Sequence, residues 1–473
     1  MSKSNSEAPW LSVSLDRSLA TPLQAQLCDA IRRLVQSGQL ESGDRLPPSR
    51  GLAEELSVSR ITVVTAYDQL VSEGYLVGQR GAGMFVAPDL SALPRPPLET
   101  APEEAPPPSH APRPFDTGAP DIASFPHRQW AKLLDQVWRA PDPALMSRPD
   151  PLGWWPLRAA IARHLGDWRG IRCTPSQIVI TSGLGEAVAL ISETVLSPGD
   201  RVGMEEPGHA PLRAALCDCG LQVHPQVVDA EGLDPARLTP GLRAIAVTPS
   251  RQFPLGMTLP LARRLRLLQW AAKTGGWILE DDYDGEYRYR GQPLPAMMSL
   301  DETGCVIYAG SFSKVLFQGI RLAYLAVPAA LGPQLQARID RRGARAGILA
   351  QPVLARFMEE GHFATHLRRM RRLYAHRQRV LLEALANDCP DLLSASEEPS
   401  GMHLVARLAP ALLKRMNDAE AAQRCREAGL QMRPLSVFFA DTPTQQGLVL
   451  GFAGFDDDTI RNGVREMARA LRS

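Results

Sequence analysis

The 473-residue chain has no excess of either charge: 52 lysines and arginines stand against 51 acidic residues. Global charge therefore excludes a polyanion-coating protein, and any nucleic-acid binding must rest on a local surface. Cysteine is scarce, seven in all and without framework spacing, Cys217 and Cys219 being an isolated pair. That excludes a disulfide scaffold, argues against a four-ligand zinc site and makes a reducing compartment the expectation. No uninterrupted run of about 18 apolar residues occurs. The start, Met1 to Trp10, has no apolar signal core. A soluble, cytoplasmic protein with no membrane partner is expected. At 44% hydrophobic and 22% charged residues the composition is globular, and the length calls for two or more domains.

From Pro88 to Pro114, Pro, Glu, Ala and Ser replace the aliphatic residues. Such a segment cannot bury a core and favours extended conformations. Proline-rich stretches also serve as SH3-type ligands, but this position favours a spacer. The linker, 88–114, would separate a small unit, 12–87, from a large one, 115–473. In the large unit Ile178–Ile180, Ala244–Val247, Trp277–Leu279 and Val306–Tyr308 read as buried strands. Arg158–Leu165, Glu186–Leu196 and Leu261–Ala272 read as helices. The alternation predicts an α/β fold, a mostly parallel sheet covered on both faces.

In the small unit, Leu23, Leu27, Ile31, Leu34 and Val35 form one helical stripe. Pro47 and Pro48 then stop the chain, and Ser49 is placed to cap a helix running to about Leu56. After a turn at Ser57-Val58, Ser59 can cap a second helix with Val63, Tyr67, Leu70 and Val71 on its inner face. Two short helices joined by a tight turn predict a helix-turn-helix whose second helix offers Ser59, Arg60 and Thr62 to a major groove. Beyond Gly74, Tyr75–Val77 and Met84–Val86 read as strands of a wing. Its tip can lay Arg80 and the bare Gly81 backbone against a minor groove or phosphates. Acidic neighbours such as Glu54, Glu55 and Asp68 offset the arginines, so dimeric binding to paired half-sites of double-stranded DNA is expected.

Three strings carry chemistry in the large unit. Ser311-Phe312-Ser313-Lys314 follows the strand Val306–Tyr308, with Arg321 seven residues after the lysine. A lysine at the carboxyl end of a parallel strand sits where α/β sheets hold ligands. With two hydroxyls and an arginine nearby it suits a Schiff base to a phosphate-bearing cofactor. Trp277–Leu279 runs into Glu280-Asp281-Asp282-Tyr283-Asp284. Clustered buried carboxylates are costly unless one has a cationic partner. A pyridinium nitrogen beside Asp281 would be that partner, with the Tyr283 hydroxyl on the ring's phenolic oxygen. A metal site and a solvated loop are the other readings. Finally, Ile178 to Glu186 reads as strand, glycine-rich turn and helix, whose free N–H groups at Gly183, Leu184 and Gly185 would receive a phosphate.

The strings L-P-P-S-R, V-S-R-I-T-V, A-Y-D-Q-L, E-G-Y-L and G-A-G-M-F-V, from about Pro22 to Val86, resemble the winged DNA-binding domain of the GntR family of bacterial regulators. T-P-S-R-Q-F-P-L-G at 248–256, E-D-D-Y-D at 280–284 and Y-A-G-S-F-S-K at 308–314 resemble the fold type I aminotransferases, in particular the effector domain of the MocR subgroup of that family. The resemblance implies a winged helix-turn-helix fused to an α/β fold type I aminotransferase-like domain, a homodimer, and pyridoxal 5'-phosphate as cofactor. DNA contacts would fall on Arg50, Ser59, Arg60, Thr62, Arg80 and Gly81. Lys314 would be the aldimine lysine, Asp281 the pyridine partner and Tyr283 the phenol neighbour. Ser311, Ser313 and Arg321 would hold the phosphate.

The chain also departs from the pattern. His209 stands where relatives carry a ring-stacking aromatic, and Leu184 and Gly185 where they carry Ser and Gln. Arg251 replaces a customary His, and Arg148 stands near where a neighbouring subunit offers a Tyr. G-L-V-L-G-F-A at 447–453 lacks the arginine that clamps a substrate carboxylate, leaving Arg433 as the nearest candidate for an effector's acidic group. The implied function is a transcription regulator in which an amino compound sensed at Lys314 alters DNA binding. A working aminotransferase with an attached DNA-binding unit is the alternative. A large unit that has lost its cofactor and only dimerises is a third reading, disfavoured by the retained lysine, aspartate and tyrosine.

Overall fold

The computed structural model describes residues 13–19, 21–79, 82–88, 112–147, 150–292, 294–343 and 346–472. Arg80, Gly81 and Arg148, and most of the proline-rich stretch, lie outside these. The chain divides into two compact units, Met1–Ser109 and His110–Ser473.

In the small unit three helices, α1 (Leu23–Gln36), α2 (Ser49–Glu55) and α3 (Arg60–Ser72), precede an antiparallel hairpin of β1 (Leu76–Gln79) and β2 (Gly83–Val86). Leu27, Ile31, Leu52, Val63, Tyr67 and Leu70 meet in one core that Leu76 and Val86 of the hairpin close. Ser59 caps α3, its hydroxyl accepting the Thr62 N–H at 3.1 Å. Two expectations are corrected. Pro48 occupies the cap position of α2 with extended ψ of 139°, so Ser49 is the first helical residue and makes no cap bond. Val71 is 38% exposed; it lies about 100° around the helix from Leu70, off the buried stripe. Ser57, between α2 and α3, adopts φ of 51°, the left-handed region.

The large unit opens with Phe115, fully buried, while the Pro114 carbonyl accepts the Gln431 N–H at 2.8 Å. Its helices are α4 (His127–Arg139), α5 (Pro143–Met146), α6 (Trp155–Arg169), α7 (Leu184–Val195), α8 (Ala210–Asp218), α9 (Leu261–Thr274), α10 (Gly332–Arg342), α11 (Gln351–Glu359), α12 (His362–Asp388), α13 (Pro410–Leu413), α14 (Asp418–Glu427) and α15 (Asp457–Arg472). The main sheet comprises β3 (Ile178–Thr181), β4 (Arg201–Glu206), β5 (Gln222–Asp229), β6 (Gly232–Leu233), β7 (Ala244–Val247), β8 (Trp277–Asp282), β9 (Val306–Ser311) and β10 (Ala323–Ala326). They lie in the order β3-β10-β9-β8-β7-β4-β5-β6. Neighbours from β9 through β5 pair parallel; β10 runs antiparallel to both β9 and β3, and β6 is antiparallel to β5.

Alternate strand residues serve opposite faces, as a pleat requires. Ala244 and Ala246 pack with α7 and α8, whereas Ile245 and Val247 pack with α9. A second sheet, β11 (Leu393–Ser394), β12 (His403–Leu408), β13 (Arg433–Pro434) and β14 (Gly447–Gly451), in the order β11-β12-β14-β13, packs with α12, α14 and α15. The strand carrying the acidic string runs on to Asp282, so Glu280, Asp281 and Asp282 are strand residues rather than the polar segment after it. Among the described residues no helix is long and apolar enough to cross a membrane.

Candidate functional site

Lys314 follows the end of β9 and points at the segment that opens the large unit, its Nζ donating to the Gly118 carbonyl at 3.2 Å. Gly118 has φ of +80°, and a β-carbon there would run into the Lys314 amine. Burial lowers the Lys314 pKa, opposed by Asp116, Asp284 and Asp281 and reinforced by Arg433. The charge of Arg433, at the start of β13, also acts on His209 and Asp116.

The carboxylates of the acidic string differ in their partners. Glu280 accepts the Met297 and Met298 N–H groups at 2.9 and 3.0 Å. Asp282 pairs with buried Arg169 at 2.7 Å and accepts the Tyr308 hydroxyl at 2.6 Å. Asp284 faces Arg251 at 3.5 Å, but its Oδ2 is buried without a hydrogen-bond partner. Asp281 makes no hydrogen bond among the described residues, and its one ion-pair contact there is with His209, 4.0 Å away. Burial, followed by the neighbouring acids Asp282, Asp284 and Glu205, raises its pKa to about 7. His209 is pushed down to about 4 by burial and by Lys314 and Arg433, so its ring is neutral near pH 7. Its Nδ1 is buried and without a partner, and the ring meets Phe253 edge to face at 5.1 Å.

Arg251, 2% exposed, donates to the Tyr283 oxygen at 2.9 Å and to the His403 carbonyl at 2.7 Å. An arginine only donates, so the Tyr283 oxygen is the acceptor here and its own proton stays available to a further acceptor. The sequence motif contained Arg251 but assigned it no role. Asp116, Gly118 and His403 carried no signal at all, since nothing local distinguishes a residue that becomes important by long-range packing.

The glycine-rich turn lies beside Arg321. Gly183, with φ of 148°, precedes α7, and a β-carbon on it would sit 3.4 Å from the Arg321 guanidinium. Space above Gly185 is open. The Ser182 N–H is already taken by Glu186 at 2.6 Å, leaving the N–H groups of Leu184 and Gly185 among those that the first turn of a helix cannot satisfy internally. Arg321 is exposed, adopts φ of 48° and has no salt-bridge partner among the described residues. Ser311 and Ser313 adjoin one another, the Ser313 N–H donating to Ser311 Oγ at 3.3 Å. Lysine, acid, phenol, hydroxyls, arginine and helix start therefore lie at neighbouring strand ends, whereas Arg148 lies outside the described residues.

On the small unit, Arg50, Ser59 and Arg60 are exposed and Thr62 is half-buried. Thr62 Oγ1 lies 2.8 Å from Ser59 Oγ. Neither Arg50 nor Arg60 has a salt-bridge partner among the described residues, in contrast to Arg32, which is held by Glu73 at 2.6 Å.

A winged helix-turn-helix joined to an aminotransferase-fold unit defines a class of transcription regulator. The profile "Bacterial regulatory proteins, gntR family" matches residues 23–86. The chain is 38% identical to a probable rhizopine catabolism regulatory protein, MocR, of Rhizobium meliloti, covering 97% of this chain and 95% of that one. It is 35% identical to the pyridoxine biosynthesis transcriptional regulator PdxR of Corynebacterium glutamicum, covering 98% of each. The large unit is similar in structure to LysN, an α-aminoadipate aminotransferase of Thermus thermophilus solved with N-(5'-phosphopyridoxyl)-L-leucine. That match has a TM-score of 0.68 at 27% identity and covers 76% of this chain and 91% of that one. The chain belongs to the MocR subgroup of the GntR regulators. It is a DNA-binding transcription regulator with an aminotransferase-like domain.

Proposed function

We propose that the large unit of this regulator holds pyridoxal 5'-phosphate and that an amino compound competing with Lys314 alters DNA binding. The observation that carries the reading is Asp281, a buried acid with no hydrogen bond and no arginine or lysine within ion-pair distance among the described residues, whereas Glu280 is hydrogen-bonded and Asp282 and Asp284 each face a buried arginine. A buried carboxylate without a partner is unfavourable unless a cation completes it, and a pyridinium nitrogen has the required charge. The remaining residues fit the same group. The Leu184 and Gly185 N–H groups, Ser311, Ser313 and Arg321 would take the phosphate, Tyr283 would donate to the phenolic oxygen, and neutral His209 would lie against the ring without repelling it. When bound, the group supplies an electrophilic carbon for primary amines. Lys314 contributes an amine whose lowered pKa enlarges the neutral, nucleophilic fraction. Arg433 would take an acidic group of the effector. Such a compound acts as a switch only if it binds one DNA-binding state better, by about 1–3 kcal/mol in typical allostery. Binding as a homodimer to paired operator half-sites and residence in the cytoplasm complete the reading.

Purified protein supplied with the vitamer should show an absorbance band near the visible edge, lost in Lys314→Ala. A spectrum unchanged by that substitution overturns the assignment. Aminotransferase turnover is the second reading, with Arg433 as the candidate for a substrate's acidic group. Steady keto-acid production from an amine donor and a keto acceptor would select it over sensing alone.

A further inference from the structure

The outward face of α3 carries a side chain the fold does not use. Val63, Ala66, Tyr67 and Leu70 bury the inner face. At about 100° per residue, Ile61, Thr65, Asp68 and Ser72 fall on the opposite line. Ile61 is 77% exposed. A lone exposed aliphatic is unremarkable on most surfaces, but this one stands in the first turn of the second helix of a helix-turn-helix, between Arg60 and Thr62. Thr65, one turn on, donates its hydroxyl to the Ile61 carbonyl at 2.8 Å. Its polar atom is thereby spent on the helix backbone, and what remains of its outward side chain is a methyl group. Val64, 36% exposed, widens the hydrocarbon strip. The leading end of the helix thus presents a small apolar surface bordered by Arg60 and Asp68.

Phosphates and sugars offer such a surface no specific partner. In the major groove the base edges carry hydrogen-bonding groups and one methyl, that of thymine at C5. We propose that Ile61, together with the Thr65 methyl, reads thymine methyl groups in the operator, so that each half-site specifies thymine at a position the neighbouring arginine contacts do not determine. This is independent of any cofactor in the large unit.

The probe is a duplex selected by the full-length protein from a random-sequence pool. Each thymine is then replaced in turn by deoxyuridine, which removes the methyl and keeps the pairing, and dissociation constants are measured by fluorescence anisotropy. At one or more thymines per half-site the replacement should weaken the natural protein about fourfold, the equivalent of unburying one methylene-sized group. Ile61→Ala should bind the parent duplex more weakly and show a clearly smaller penalty for that replacement, while Ile61→Val, which keeps branched methyls, retains the penalty. Arg60→Ala should weaken all the duplexes alike and also retain it. The proposal is overturned if the natural protein binds every deoxyuridine duplex as tightly as the parent, or if the penalty persists undiminished in Ile61→Ala.

Discussion

At the residue scale the molecule is governed by how it distributes partners among buried acids. Arg169 and two backbone N–H groups are committed to Asp282 and Glu280, and Arg251 stands 3.5 Å from Asp284, which leaves Asp281 facing only neutral His209 within ion-pair distance. Burial holds the Asp281 carboxyl at about 7, above the ordinary range near 4. A carboxyl raised in the folded state contributes stability that is full below about pH 4 and is lost as pH rises through about 7. Cofactor-free Asp281→Asn, which has no charge to bury, should therefore unfold at a higher temperature than the natural protein at pH 8. Its advantage should shrink as pH falls toward 5, and thermal melts across that range measure it. Equal pH profiles for the two proteins would remove Asp281 as an uncompensated acid. Asp281 itself was legible from the string it stands in. That its three acidic neighbours serve other partners was not, because Arg169 and Arg251 arrive from α6 and from the loop after β7, far away in the chain.

At the scale of elements, local signals worked where local chemistry decides. Ser59 caps α3 as its position suggests, because a serine oxygen three residues before an N–H needs nothing else. The signals faltered where geometry is set by context: Pro48 displaces Ser49 from the cap position, and β8 extends into a polar string because its neighbours β7 and β9 continue to pair with it. The turn between α2 and α3 is tight enough to hold Ser57 at φ of 51°. Left-handed backbone costs an L-residue about 1–2 kcal/mol, and a β-branched one more. Ser57→Val should lower the stability of the small unit by at least about 1 kcal/mol, whereas Ser57→Gly should hold or raise it. Chemical denaturation of both variants checks the order, and a tolerated valine would mean the turn relaxes.

At the scale of the whole molecule, two units with separate cores carry two chemistries. Arg60→Ala should weaken operator binding by about tenfold, the size of one lost charged or base contact of 1–3 kcal/mol, and leave the absorbance spectrum of the cofactor-loaded protein intact. Measured together, loss of both properties would undo the separation of roles.

The sequence alone determined the fold class, the helix-turn-helix and the strings that carry Lys314, Asp281 and Tyr283, since propensity, capping and strand-end placement are short-range physics. It marked Arg433 only as the nearest candidate cation. Only the tertiary structure brought that arginine, Asp116 and Gly118 to the lysine and set Arg251 on Tyr283. Partners from distant segments meet through sheet order and domain packing, and no local pattern encodes which of several buried charges will find one.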